Sequence, residues 1–248
     1  MIVIKSKSEL QKMREAGKLL SELLQVMEEA IRPGVTTGEL DQISRQWFAR
    51  HEGATPTFLG YGGFPGTLCI SVDNQVIHGI PGELVLQEGS LVKLDGGVTY
   101  RGYCSDAART IPVGKVSEEA MTLLTVTKES FFQGARQALA GNRLGDISHA
   151  IEAYVTSFGF SVVRDFVGHG IGKNLHEGPE IPNYGEAGRG PRLREGMTLA
   201  IEPMVNAGHH AVKILDDGWT VITRDGKLSA HYENTVAVTD GEPEILTL

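Results

Sequence analysis

Asp95 and Asp106 stand eleven positions apart in LDGGVTYRGYCSDAA, each on an alternating or β-rich stretch that reads as a strand. The midpoint between them falls at Tyr100-Arg101, with Gly102 beside it. A hairpin turned there sets the two aspartates opposite each other on one face. Opposed Cβ atoms lie about 4.5–5.5 Å apart, and like charges there repel. A cation between them reverses the sign of that interaction. The other reading is a register slipped by one, with one carboxylate in solvent.

Two histidines follow in FVGHGIGKNLHE, His169 and His176, where glycines let the backbone fold tightly around whatever the imidazoles face. Either one alone could be a buried structural histidine. Glu202 ends the apolar run TLAIEPM, and Glu233 opens another in HYENTVAV, where alternation sets His231 on the same face. A bare buried carboxylate is costly, so each needs a partner or a place at a strand end. Taken together, four carboxylates at strand positions plus a histidine match the needs of two divalent cations. Mixed oxygen and nitrogen donors suit Mn²⁺, Fe²⁺, Co²⁺ or Zn²⁺. Such ions, roughly 3.5–4 Å apart, can activate one water between them. There is no cysteine spacing for structural zinc. A calcium protein is disfavoured by the histidine and the lack of an EF-hand loop.

The elements that must position these residues can be read in outline. Ser8 with Gln11 signals a helix to about Ile31, stopped by Pro33-Gly34, and Thr36 with Glu39 opens a second to about His51. A third starts at Ser117-Glu118-Glu119 and ends near Ala140-Gly141, and a fourth runs from about Asp146 to Phe158. Strand-like stretches are Thr67–Val72, Leu91–Val98, Cys104–Val113, Phe160–Val163, Thr198–Val205, Trp219–Thr223 and His231–Val238. GVTTGELDQISRQWF from Gly34 resembles GNRLGDISHAIEAYV from Gly141, an offset of 107, and EGSLVKLD ending at Asp95 matches EGMTLAIE ending at Glu202 at the same offset. We read two pseudo-symmetric αβ halves sharing one sheet, an α/β (α+β) chain with residues 1–248 as a single catalytic domain. His-Gly-Ile recurs at 78 and 169, an offset of 91, so loop insertions distinguish the halves there.

The composition, 41% hydrophobic and 22% charged, is globular. A net charge of −8 argues against direct nucleic-acid recognition, while leaving room for docking on a ribosome surface through a local patch. Two cysteines, Cys69 and Cys104, are too few for a disulfide framework and point to a reducing compartment. The start MIVIKSKSEL has no apolar core of a signal peptide, and no run of 18 apolar residues exists, which points away from secretion and the membrane.

These motifs, across nearly all 248 residues, resemble type I methionine aminopeptidases, metallopeptidases of the pita-bread fold. The resemblance implies a shared antiparallel sheet between the halves, and five metal ligands: Asp95, Asp106, His169, Glu202 and Glu233. Asp95 would chelate one ion, Asp106 and Glu233 would bridge, and His169 with Glu202 would complete the other. His78, in VIHGIPG, and His176 match two catalytic histidines that are not ligands. The cofactors implied are two divalent ions, Co²⁺, Mn²⁺, Fe²⁺ or Zn²⁺. The chain resembles the short bacterial-type form, without the additions of type II members or the extra N-terminal domain of Xaa-Pro-cleaving relatives.

The family's methionine pocket maps onto Tyr61, Cys69, His78 and Trp219 unchanged. Phe64 stands where tyrosine is common, Phe58 where a small residue is usual, and Leu175 where phenylalanine is usual, so the last two departures offset in volume. Aromatic rings and Cys69 suit a polarizable thioether. Asn234 stands where the family often has His and His231 where Gln is common, while Asp73, Gln75 and Ser229 align with a monovalent-cation site at which two of the three differ. The function implied is removal of the N-terminal methionine from nascent proteins and peptides, with a small second residue preferred. The free α-amine would be taken near Asp95, and the ordinary amine value of about 7.7–8.0 makes deprotonation cheap. Glu202 would shuttle the proton of the attacking water, His176 would stabilise the oxyanion, and His78 would contact the scissile amide. The resemblance further implies a cytoplasmic monomer. Retention of all five ligands and both histidines argues against a silent binding module on this fold.

Overall fold

The structure is a computed structural model and describes residues 2–248. Helices α1 (Lys7–Ala30) and α2 (Thr37–Arg50) precede strands β1 (Ala54–Pro56), β2 (Leu68–Val72), β3 (Gln75–Ile77), β4 (Leu91–Tyr100) and β5 (Tyr103–Pro112). Helices α3 (Glu118–Ala135) and α4 (Leu144–Ser157) open the second half. After them come β6 (Ser161–Val162), β7 (Gly168–Gly170), β8 (Glu177–Ile181), β9 (Thr198–Ile201) and β10 (Met204–Asn206). The chain closes with β11 (Val212–Ile214), β12 (Val221–Thr223), β13 (Ser229–His231), β14 (Glu233–Ala237) and β15 (Glu244–Ile245).

The central sheet runs β1-β4-β5-β14-β9-β7-β8, with β2 added to β4 and β15 to β14. Its paired strands are antiparallel. One face of this sheet is apolar and carries the helices. Val92, Leu94, Val98, Ala107 and Ile111 pack there with Leu20, Leu23, Leu24 and Met27 of α1 and Leu40 and Trp47 of α2. Leu199, Ile201 and Val236 do the same with Leu123, Val126 and Phe131 of α3 and Ile147 and Ile151 of α4. Alternation along each strand therefore sends the intervening residues to the opposite, helix-free face.

The internal repeat is written into the hydrogen bonds. Gly34 N–H donates to Leu86 O, and Gly141 N–H to Leu193 O; Gly38 N–H donates to Gly82 O, and Gly145 N–H to Arg189 O. Leu86 N–H returns to Val35 O as Leu193 N–H returns to Asn142 O. Donors and acceptors alike recur at the offset of 107 seen between the sequence segments. In both halves an acidic side chain at the third helical residue accepts the N-cap N–H, Glu39 from Thr36 and Asp146 from Arg143, each at 2.7 Å. This satisfies one of the free donors of the first turn.

Several expected boundaries move. The first helix is capped by Ser6 with Glu9, not Ser8 with Gln11, because Glu9 Oε2 reaches back to Ser6 N at 2.8 Å. The third helix ends at Ala135, and tighter bonds from Gln137 N to Gly134 O and from Ala138 N to Ala135 O carry the chain toward Gly141. The runs expected as Thr198–Val205 and His231–Val238 are each broken in two. Pro203 has no N–H for the ladder, and its carbonyl accepts from Tyr232 N, so both chains bend together at one place. Beyond the bend β10 pairs with β13 in a separate small sheet.

Candidate metal centre

The register of the central sheet brings five side chains to its helix-free face. Asp95 on β4 pairs with Ala108 on β5, and Ala108 pairs with Glu233 on β14, so the two acids share one row across a small residue. Asp106 pairs with Gly97, which makes it diagonal to Asp95 rather than opposite it. The cause is the turn. Tyr100 pairs with Tyr103, and Arg101 and Gly102 both take left-handed φ, 50° and 78°, in a two-residue loop. Pairing is displaced by two residues, so both aspartates keep the same face. Glu202 lies one step beyond the Asn234–Ile201 pair, and His169 pairs with Ala200. The order β4, β5, β14, β9, β7 thus presents Asp95, Asp106, Glu233, Glu202 and His169 side by side. Gly168 and Gly170 flank His169, and a Cβ on either would strike the carbonyls of Ala200 and Gly178. Only glycine lets β7 sit this close.

Asp95, Asp106, His169 and Glu233 are buried, and the Glu202 side chain keeps 13% of its exposure. His169 Nε2 lies 3.7 Å from Asp106 Oδ2 and 3.6 Å from Glu202 Oε1. Its Nδ1 meets Gly170 O at 2.9 Å, which fixes the ring and leaves Nε2 free as a donor to a metal. One donor atom each from Asp106, His169 and Glu233 lies within 4.8 Å of the others, and the same holds for Glu202, His231 and Glu233.

Burial pushes the Asp95 carboxyl up to about 7. Asp106, Glu202 and Glu233 are raised well above the usual carboxylate range, by burial first and then by their acidic neighbours. Burial and then the nearby His176 bring His169 down to about 4. Among the described residues, Asp95 Oδ1, Asp106 Oδ1 and Glu233 Oε1 have no hydrogen-bond partner. No described lysine or arginine lines the cavity they face. Four crowded carboxylates, offset only in part by Arg109 behind Glu233, beside an imidazole with a free nitrogen, fit a divalent pair.

That cavity, of about 120 Å³, is lined by Phe58, Tyr61, Phe64, Cys69, His78, Asp95, Asp106, His169, Leu175, His176, Glu202, Trp219 and Glu233. These are the thirteen positions to which the resemblance gives a ligand, catalytic or pocket role; His231, Asn234, Asp73, Gln75 and Ser229 do not line it. Phe58, Phe64, Cys69 and Leu175 pack as one apolar cluster against Trp219, with the Phe64 and Trp219 rings 5.1 Å apart. Burial raises the Cys69 thiol, so it stays protonated and apolar. His176 stands beside His169, ring centroids 4.3 Å apart, and its Nδ1 meets Tyr61 Oη at 2.7 Å. His78 holds a left-handed φ of 58°, costly for a residue with a Cβ, and burial lowers it to about 4.

Other side chains brace the centre without a signal in the sequence. Thr235 Oγ1 donates to Asp106 O and accepts from Asp106 N, locking β5 to β14 where the ladder ends. Arg109 donates to Glu233 O at 2.6 Å and to Asn234 Oδ1 at 2.7 Å. No local pattern distinguishes such residues, since their partners are more than a hundred positions away. His231 ends β13 beyond the bend, yet its ring still converges on Glu202 and Glu233. The carbonyls of Asp73 and Ser229, aligned with a monovalent-cation position, both accept from buried Lys93 Nζ, at 2.7 and 3.1 Å. Gln75 is engaged elsewhere, accepting from Val72 N. An ammonium of the chain itself therefore stands between those carbonyls. Both cysteines are unbridged. No helix among the described residues is long and apolar enough to cross a membrane.

Residues 11–240 match the model of metallopeptidase family M24. The chain is 59% identical to a methionine aminopeptidase of Clostridium perfringens, over 100% of this chain and 99% of that one. Its fold superposes on the crystal structure of methionine aminopeptidase from Rickettsia prowazekii with a TM-score of 0.98 at 41% identity, covering 100% of both chains. The methionine aminopeptidase of Thermotoga maritima gives 0.97 at 45% identity, covering 100% of this chain and 99% of that one.

Proposed function

The chain belongs to metallopeptidase family M24, among its methionine aminopeptidases, and from that premise we propose that it removes the N-terminal methionine of nascent proteins and peptides whose second residue is small. The observation that carries the reading is the row of four crowded carboxylates, three with an unpartnered oxygen, and one imidazole at the floor of an aromatic cavity. Asp95, Asp106, His169, Glu202 and Glu233 would hold two divalent ions. When bound, such a pair supplies Lewis acidity and lowers the pKa of water.

The chain's own groups do the rest. Phe58, Phe64, Cys69, Leu175 and Trp219 take the methionine side chain, since soft sulfur packs well against rings and a thiol. Glu202 accepts the proton of the attacking water at a carboxylate oxygen and returns it to the leaving amine. His176 donates from Nε2 to the oxyanion, with Tyr61 holding Nδ1. His78, kept neutral by burial, contacts the scissile amide. The floor of the cavity is buried while Tyr61 and His176 stand at its open side, where a peptide terminus can enter.

Residues 1–248 work as one catalytic domain, because the ligands are divided between the two halves of the sheet. We place the protein in the cytoplasm as a monomer acting on methionyl peptides at the ribosome surface. Its ions are drawn from Co²⁺, Mn²⁺, Fe²⁺ and Zn²⁺. Chelation is expected to abolish hydrolysis of Met-Ala-Ser, with Mn²⁺ or Co²⁺ restoring it. Turnover by the fully demetallated protein, or faster cleavage of Ala-Pro than of Met-Ala-Ser, would overturn the reading.

A further inference from the structure

His231 is 1% exposed, and neither ring nitrogen has a hydrogen-bond partner among the described residues. Leaving a buried polar group unmatched is costly, so its surroundings need a reason. Nε2 lies 3.9 Å from Glu202 Oε2 and 3.9 Å from Glu233 Oε2. Those separations are too long for hydrogen bonds. They match the 3.6 and 3.7 Å that separate His169 Nε2 from its carboxylate neighbours. Two donors each about 2.0–2.2 Å from one ion stand roughly 3–4 Å apart, so both corners have the spacing of a shared cation. Glu202 turns Oε1 to His169 and Oε2 to His231, and so stands between the corners. The bend at Pro203 and Tyr232 is what delivers His231 there, from a strand outside the central sheet.

We propose that His231 is a sixth protein ligand of this centre, acting through Nε2 together with Glu202 and Glu233. The proposal rests on the dinuclear reading above and enlarges its ligand set. A second imidazole shifts the donor set toward Zn²⁺, Co²⁺ and Fe²⁺ and away from Mg²⁺ and Ca²⁺.

Crystals of the full chain loaded with Co²⁺ decide it by anomalous difference density. The expected result is an ion about 2.0–2.3 Å from His231 Nε2. Alongside, demetallated wild type and His231→Leu are titrated with Co²⁺ and followed by visible absorption. The variant is expected to lose one binding step or weaken it at least tenfold. Ions held by the other five ligands with Nε2 more than about 3 Å from each, or a variant that binds Co²⁺ as wild type does, would overturn the sixth ligand and leave the dinuclear reading standing. No ion at any of the carboxylates would overturn both. Should His231→Leu fail to fold, the wild-type density alone decides whether Nε2 binds.

Discussion

Tyr61 Oη lies 2.7 Å from His176 Nδ1 across 115 residues of chain, so the aromatic wall of the cavity and one of its candidate catalytic groups are a single unit. With the phenol donating to Nδ1, the imidazole proton sits on Nε2, the nitrogen an oxyanion would need. Tyr61→Phe keeps the ring and removes this hold. A neutral hydrogen bond of about 1 kcal/mol corresponds to roughly a fivefold change, so kcat on Met-Ala-Ser is expected to fall by about that factor with KM nearly unchanged. A variant with wild-type kcat would show that the contact does not orient the histidine.

The acidic centre gives the demetallated protein an unusual pH profile. Asp95 is pushed up to about 7, and Asp106, Glu202 and Glu233 are raised well above their ordinary values. The folded state therefore keeps protons that the unfolded chain has already released near pH 4. Stability from a raised carboxyl is complete below the unfolded pKa and is lost as pH climbs through the folded one. Above pH 6.5 the buried histidines 78, 169 and 231, all lowered, are neutral in both states and drop out. Lys93, lowered to about 7, opposes the trend with one proton against those of the carboxylates. Calorimetry should find the Tm of the chelated protein falling as pH climbs from about 6.5 through about 7, where the folded Asp95 carboxyl gives up its proton, while bound Mn²⁺ removes that slope by keeping the carboxylates ionised. A chelated protein with a flat Tm over this window would mean that the carboxylates are already ionised without ions.

Local signals carry the helices and the halves of the fold, and long-range relations leave no such signal. Thr36 with Glu39 is legible because a cap and its partner are three residues apart, and the repeat at 107 is legible because it compares like with like. The diagonal relation of Asp95 and Asp106 depends on whether Arg101-Gly102 or Tyr100-Arg101 makes the turn, a choice that shifts the pairing by two residues without changing the face. Short β7 and β8 are not legible, because strands rich in glycine and proline lack the apolar alternation that marks a strand. The bend that parts β9 from β10 has its cue in Pro203. The matching break at Tyr232 has none in its own sequence, since it is imposed by the neighbouring chain.

Phe58 and Leu175 both line the cavity and belong to one apolar cluster, where a large and a smaller side chain stand at positions whose sizes are exchanged in the family pattern. Adding bulk to a filled site typically costs about 1–3 kcal/mol. Leu175→Phe alone is expected to raise KM for methionyl peptides roughly tenfold by overfilling the methionine pocket. Combining it with Phe58→Cys should recover most of that loss, because the second change returns the volume. A double-mutant cycle on kcat/KM measures the coupling, expected at about 1 kcal/mol or more if the two side chains compete for one space. Strict additivity would mean that the two side chains do not compete for the same space.

Lys93 is among the largest fully buried side chains, and its ammonium donates to Asp73 O at 2.7 Å and Ser229 O at 3.1 Å. Those carbonyls belong to a turn before β3 and to the first residue of β13, so the lysine ties the first half of the chain to the strand that carries His231. Burial lowers its pKa to about 7, and the Asp73 carboxylate pulls the other way. That carboxylate is itself occupied by Ser90 Oγ and Leu91 N, which holds the Asp73 turn at its left-handed φ of 52°. Lys93→Met keeps the length of the chain and removes the donor. Asp73 O keeps its bond from Ser229 N, so the variant strands at most the Ser229 carbonyl, at a cost of about 1–3 kcal/mol that loss of the buried ammonium partly offsets. A net loss of about 1 kcal/mol in urea unfolding is therefore expected. An unchanged urea midpoint would show that water replaces the ammonium between the two carbonyls without loss.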